Sequence, residues 1–352
     1  MSRRAIIAVG EPLDGQGGLA RIADQQKRVL QELGWEVAAA TPTGITPWRS
    51  RKFPALNNFL LSCQVSALAR SMSGRDGILF SHGMCGARGS RGRQMHLHHG
   101  TCAGLADACR ARMSRAEYFI VRRLNGMLER RSGRRATNLA VSANVVDEAR
   151  RYYGIPGVGV LHNAVDTDHF APGLPPGQTE AFTGLVVGRV DYGKGRDTIR
   201  MLGRLLEPRY RIALASAHVQ GEAGWGDGRT CYLGYVAYPG MPPAYRDADY
   251  LLCASRYEGF GLTLIEAWAC GKPVVATSVG IIRELRGMEP TLDRLVVDDP
   301  DDADAFAERI RFLRGHPEIG ARQAIWGREM VVERFSLQRY RAEWRRRLEA
   351  FA

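Results

Sequence analysis

Long hydrophobic runs are missing from this 352-residue sequence. No stretch approaches the roughly 20 apolar residues that span a bilayer, so no membrane-crossing helix is expected. Cysteine is sparse: the seven cysteines are an odd number and include no CxxC spacing, which argues against a disulfide framework and a zinc ribbon. The opening MSRRAIIAVGEP runs from two arginines straight into a strand, without the apolar core of a leader. A reducing cytoplasm is the expected compartment. Repeats of roughly 20–50 residues and low-complexity tracts are lacking too, which excludes solenoids and arrays.

Acidic residues are scarce in one half only. Residues 1–170 carry 24 Lys and Arg against 13 Asp and Glu, whereas residues 171–352 carry 25 against 24. The formal net charge of +12 therefore belongs almost wholly to the first half. Such a half suits an anionic partner, namely a membrane surface, a phosphorylated acceptor or nucleic acid, or else its arginines serve only solubility.

Short apolar runs alternate with longer amphipathic ones, the pattern of layered α/β domains. Strands are expected at 4–9, 35–40, 77–82, 94–99, 136–142 and 158–165, with helices at 19–33 and 103–131. The Pro- and Gly-rich stretch 166–182 reads as a linker. The alternation then restarts, with strands at 182–190, 211–216, 230–236, 249–255, 272–278 and 294–299. Helices are expected near 195–206, 242–247, 302–315 and 318–333, and in the terminal LQRYRAEWRRRLEAFA. A chain of this length exceeds one ordinary core, and two α/β domains with a cleft between them are expected.

Four stretches carry chemistry. In SRYEGFGLTLIEAWACGKPVVATS (255–278), Gly259 and Gly261 occupy a strand-to-helix turn, and Glu258 and Glu266 stand eight positions apart. On a continuous helix the two carboxylates would lie ~12 Å apart, too far for acid/base work on one bond. They suit the two ends of a long ligand whose sugar hydroxyls donate to them, with phosphate at the amides of the helix N-terminus between. GRVDYGKG (188–195) puts Arg189 and Lys194 just after a strand, where two cations stabilise charge on a departing diphosphate. DGQGGLA (14–20) is a glycine loop after the first strand, open to close approach by phosphate or sugar, or simply a turn. A nicotinamide fold also wants an acid at the end of the second strand, and here that strand ends AAAT. HLHHGT (96–101) invites a metal, yet in a strand residues 96 and 98 share a face while 99 points away, so no metal is assigned.

Most of the chain, and residues 182–285 most strongly, resembles glycosyltransferase family 4, retaining enzymes of the GT-B fold. EGFGL, IEA and G-x-PVVA match that family's E-x7-E signature, and GRVDYGKG matches its G-R-x4-K-G element. The resemblance implies two Rossmann-like α/β/α domains facing across a cleft. It implies an N-terminal acceptor-binding domain over 1–168 and a nucleotide-sugar domain over 169–334. A C-terminal helix, 335–352, is then expected to return to the first domain. It assigns catalytic roles to Glu258, Arg189, Lys194 and His99, with His98 the fallback for the histidine that precedes a glycine. Donor contacts fall to Gly17, Gly18, Gly188, Val236, Gly259, Phe260, Gly261, Leu262 and Glu266. A glycine pair common in the family after PVVATSV is reduced here to Gly280.

The resulting expectation is a retaining, metal-independent transferase moving a hexose-type sugar from a UDP- or GDP-linked donor. The expected acceptor is a hydroxyl of a cell-envelope glycan such as lipopolysaccharide core or a lipid-linked oligosaccharide. A GT-B epimerase or phosphorylase, or a non-catalytic sugar-binding adaptor, is the alternative. No cofactor beyond the donor substrate is expected. Residues 110–135 hold nine arginines interleaved with Tyr118, Phe119, Val121, Leu124, Met127 and Leu128. They read as a peripheral contact from Arg110 to Arg135 with the anionic inner face of the cytoplasmic membrane, or as a helix packed on its own sheet. Nucleic acid is not expected, since no binding motif accompanies the charge.

Overall fold

A computed structural model describes residues 3–15, 17–43, 54–173, 181–216 and 229–351. In it the apolar runs become two parallel sheets. The first contains β1 (Arg3–Ala8), β2 (Trp35–Ala40), β3 (Ile78–His82), β4 (Arg93–His98), β5 (Thr137–Ala140) and β6 (Gly159–Val160), ordered β2-β1-β3-β4-β5-β6. The second contains β7 (Phe182–Val187), β8 (Tyr210–Ala215), β9 (Thr230–Gly234), β10 (Tyr250–Cys253), β11 (Val274–Thr277) and β12 (Val296–Val297), ordered β12-β11-β10-β7-β8-β9. Strands covered by helices on both faces are largely apolar. β3, β10 and β11 are accordingly buried at every position.

The order decides where ligands can sit. In each sheet the chain builds outward on one side of its first strand and then returns to build on the other. The crevice beyond the carboxyl ends of the two strands at this switch is the natural ligand site of an open α/β sheet. In the first sheet those strands are β1 and β3, and in the second they are β7 and β10.

The chain divides into two units, Met1–Asn163 with Arg341–Ala352, and Ala164–Tyr340. In the first, Phe80 is packed edge-on by Trp35 and by Trp344, at centroid distances of 6.4 and 5.6 Å. Trp344 is fully buried, so the closing helix, Leu337–Phe351, completes this core. In the second, Val186, Ile199, Leu202, Ile212, Leu252 and Phe306 share one cluster. Val165 N–H donates to Phe335 O (2.9 Å) and Leu337 N–H donates to Val165 O (3.2 Å), so the two ends of this unit lie side by side.

Several features depart from the expected elements. Helices at Pro54–Met72 and Ala143–Tyr153 were not anticipated; the first has Arg70 as its one charge, so no charged stripe marks it in the sequence. The expected helix over 103–131 is interrupted. Met113 is extended, and Ser114 starts a new helix by accepting the N–H of Glu117 at 3.1 Å. A π-helical turn follows at Ile120–Asn125. Within the first sheet the expected strand 158–165 pairs only at β6, and the chain leaves the sheet after Leu161 N–H reaches Ala140 O. Of the linker stretch, residues 174–180 lie outside the described residues.

Candidate functional site

At the switch point of the second sheet, β7 and β10 deliver the two motifs to one place. β7 ends at Val187 and continues through Gly188 into a turn whose first residue, Asp191, accepts the N–H of Lys194 at 3.1 Å. Lys194 Nζ then donates to Glu258 Oε1 at 2.5 Å. Ser255, just past β10, donates its Oγ–H to the same oxygen at 2.7 Å. The lysine and glutamate side chains are 29% and 12% exposed. Burial alone would lower the Lys194 ammonium; the nearby Glu258 carboxylate outweighs it, and the pKa stands above the ordinary lysine value. Among the described residues Glu258 Oε2 has no partner, and Lys194 spends one of its three donors. A small pocket lined by Val186, Lys194, Leu252, Ala254, Ser255 and Glu258 opens here.

Backbone contacts hold the two motifs in register. Gly195 has φ +75, and a Cβ there would sit 2.0 Å from the carbonyl oxygen of Ala254. Only glycine lets the lysine turn lie this close to the end of β10. Arg256, 5% exposed, donates to Tyr192 O through Nη1, pairs with Asp301 through Nη2, and sends its own N–H to Gly193 O at 2.9 Å. The single glycine left after PVVATSV, Gly280, is the one pressed on the backbone of Phe260: a Cβ would meet Phe260 O at 2.4 Å.

The other residues singled out in this half are placed as follows. Arg189 is 76% exposed and reaches Asp191 Oδ2 at 3.8 Å, outside the Lys194–Glu258 contact. The helix starts at Leu262, so residues 258–261 form a turn. Gly259 and Gly261 are buried in that turn, and Phe260 packs edge-on against Phe335 at 5.5 Å. Glu266, 2% exposed, faces the interior and accepts the hydroxyl of Tyr245 at 2.6 Å. Val236 lies just after β9, partly buried. The helix is held down by Trp268, against which Gly327 packs without room for a Cβ.

In the first unit the glycine loop ends against the protein's own carboxylate. Glu11 Oε2 accepts Ala20 N–H at 3.2 Å, and a Cβ on Gly17 would lie 2.1 Å from that oxygen. Gly18 opens the helix Gly18–Glu32 and is exposed, and Gln16 lies outside the described residues. His99 follows β4 and is partly exposed. Its Nε2 meets His82 Nδ1 at 2.7 Å, and His82 Nε2 meets Gln26 Oε1 at 2.8 Å. His98 points elsewhere, to Asn138 Oδ1 at 3.0 Å, and His96 Nδ1 contacts Ser81 Oγ at 2.9 Å. Burial first, then a neighbouring histidine, pushes the pKa of His99 down to about 3 and that of His82 well below the usual value. Among the described residues no three His, Cys, Asp or Glu side chains converge as a metal site requires.

The family model described as Glycosyl transferases group 1 matches residues 184–315, the stretch that holds the Lys194–Glu258 pair. This stretch belongs to the glycosyl transferases group 1 family. Over 233 residues, 58% of this chain and 60% of the relative, the sequence is 30% identical to the lipopolysaccharide core biosynthesis mannosyltransferase LpsB of Rhizobium meliloti (strain 1021). Over 89 residues, 25% of this chain and 22% of the relative, it is 40% identical to the O-antigen chain mannosyltransferase B of Escherichia coli. The chain thus spans less than two thirds of the length of either curated relative. A sucrose-phosphate synthase structure from Thermosynechococcus elongatus superposes with a TM-score of 0.78 at 18% identity, covering 100% of both chains. That likeness concerns the fold alone: the chain has the GT-B fold, with two Rossmann-like units.

Within the group 1 stretch, sequence reasoning missed Ser255, Asp191 and the Arg256–Asp301 lock. The first three of these residues stand inside the quoted motifs, where a hydroxyl, a turn-capping acid and a cation were visible but unassigned. Asp301 lies 45 residues from Arg256, with no local signal. Outside it, His82 ends an expected strand, whereas nothing marks Gln26, 56 residues away from it.

Proposed function

We propose that this protein is a retaining glycosyltransferase that moves a hexose-type sugar from a nucleotide sugar to a hydroxyl of a cell-envelope glycan. One observation carries the reading: at the group 1 switch point Glu258 keeps one oxygen open beside an ammonium with donors to spare. A carboxylate oxygen accepts sugar hydroxyls, and an ammonium pairs with phosphate. On this reading Glu258 holds the donor sugar and Lys194 the diphosphate. Arg189, exposed beside the same turn, swings onto the departing phosphate, so positive charge meets the leaving group without a metal ion. Glu266 accepts the ribose hydroxyls after exchanging its Tyr245 partner, with the amides of residues 259–262 beside it. Gly17 and Gly18 keep the donor contacts and His99 the catalytic role that the resemblance assigns them, and the first unit selects the acceptor.

The two mannosyltransferase relatives make mannose the first sugar to test, with UDP and GDP as the bases. The basic segment from Arg110 to Arg135 is the contact with an anionic membrane surface. There Phe119 is 56% exposed, while Arg110 stacks over Tyr118 at 4.5 Å and Arg122 pairs with Asp107 at 2.8 Å. No described helix is long and apolar enough to cross a membrane.

Thermal shifts against a panel of nucleoside diphosphates and their sugars test the reading, followed by release of nucleoside diphosphate in the presence of candidate glycans. A ligand at 100 times its Kd adds about 2.7 kcal/mol to stability, a readily measured shift. A protein that responds to no member of the panel sinks the proposal, and one that binds but never turns over is an adaptor.

A further inference from the structure

We propose that Gln26 and His82 are positioning residues that fix the tautomer of His99, leaving its Nδ1 as a hydrogen-bond acceptor for a ligand hydroxyl. The use of that acceptor rests on the transferase reading above; the tautomer itself does not.

The relay follows from what each atom can do. Gln26 is fully buried, and its carboxamide oxygen faces His82 Nε2 at 2.8 Å. An amide oxygen only accepts, so His82 Nε2 carries the hydrogen. His82, 1% exposed, is kept neutral by burial, and a neutral imidazole has one N–H. Its Nδ1 is therefore a lone pair. The 2.7 Å contact to His99 Nε2 is then a hydrogen bond donated by His99. His99 is also neutral, so its Nδ1 is bare. Among the described residues that nitrogen has no partner, and it lies on the partly exposed residue of the series. The two nearby histidines do not intervene, because each is committed to a separate partner, Ser81 or Asn138.

The cost of this arrangement points the same way. Gln26 Nε2 is buried without a partner. An apolar side chain would fill the same space without leaving a donor unmet. Turning the carboxamide over would invert both imidazoles and make His99 Nδ1 a donor, so one amide sets the hydrogen-bonding sense of a group two residues along the relay. Three side chains from three places in the chain, the helix after β1, the end of β3 and the residue after β4, meet to do so.

Nitrogen-15 spectra of the histidines in the full chain report which ring nitrogen is protonated. The expected result between pH 6 and 8 is a single Nε2–H tautomer for both His82 and His99. In Gln26→Met, His99 should populate both tautomers while the protein stays folded. Turnover of whichever donor the panel identifies should drop about 10-fold, the scale of one misdirected hydrogen bond. Finding the hydrogen of wild-type His99 on Nδ1, or finding its tautomer unchanged in Gln26→Met, overturns the proposal. A wild type that turns over no donor removes the transferase reading and leaves the tautomer result to decide the relay.

Discussion

At the switch point of the second sheet a lysine and a glutamate meet as full charges, while at that of the first two imidazoles stand in series without any charge. The sheets are wired alike, each built outward from its first strand in both directions. Wiring therefore fixes the place of a site and not its chemistry. Fixed ions suit a ligand that brings charge of its own. Neutral rings locked by a buried amide suit the direction of a hydroxyl, and they avoid the penalty of burying ions.

The largest expected effect comes from removing the charge. Lys194→Met should lower turnover about 10²–10³-fold, read as release of nucleoside diphosphate. Adding Glu258→Gln should cost less than the two single changes sum to, with a coupling of about 1–3 kcal/mol. Strict additivity would mean that the two groups act apart, and the contrast between the sheets would lose its sharper half. Gly195→Ala should cost about 2 kcal/mol or more, seen in thermal melts, because its Cβ would collide with Ala254 O in a left-handed backbone.

Acid should separate the two units next. Unfolded histidine binds a proton below about 6.5, whereas folded His98 and His99 hold out to about 4 and about 3, chiefly because burial opposes the charge. The unfolded state then binds more protons, so stability present at neutral pH is lost as pH falls below 6.5. Hydrogen exchange should show the first unit weakening by about 3 kcal/mol toward pH 4, ahead of the second. Glu129 works in the opposite sense. Burial raises its carboxyl to about 7, above the ordinary 4.5, so its contribution is full at low pH and lost as pH rises through 7. Glu129→Gln should therefore gain stability on the wild type at pH 8 and none at pH 4. Equal acid sensitivity in both units would erase the comparison.

The smallest effect belongs to the basic segment. Phe119→Ser should weaken binding to vesicles containing anionic lipid a few-fold, and added salt should release the wild type. Vesicle binding that ignores both changes would leave the charge of the first half with solubility alone.

How much could be read beforehand follows the same division. The α/β layering was legible because most strands are short apolar runs between turns, and the GT-B fold because the motifs at 188–195 and 255–278 resemble those of a known family. The charged site was legible because its parts fall in two contiguous motifs, 188–195 and 255–266. Their internal wiring was not: Glu266 turns inward to Tyr245, and Arg189 stays at the surface, choices set by packing partners distant in sequence. The histidine series was hidden more deeply. HLHHGT drew the eye to 96, 98 and 99, yet the partners that matter, His82 and Gln26, come from other elements. The interrupted helix after residue 108 was missed because a serine cap competes with helical periodicity, and periodicity alone does not reveal which wins.

Trp344 sits at the heart of the first unit although almost the whole chain precedes it. During synthesis that unit must wait, lacking its last wedge, while the complete middle segment emerges and can settle. The early half thus finishes late, and a chain cut after residue 340 would hold every residue of the second unit while the first still lacked its closing helix.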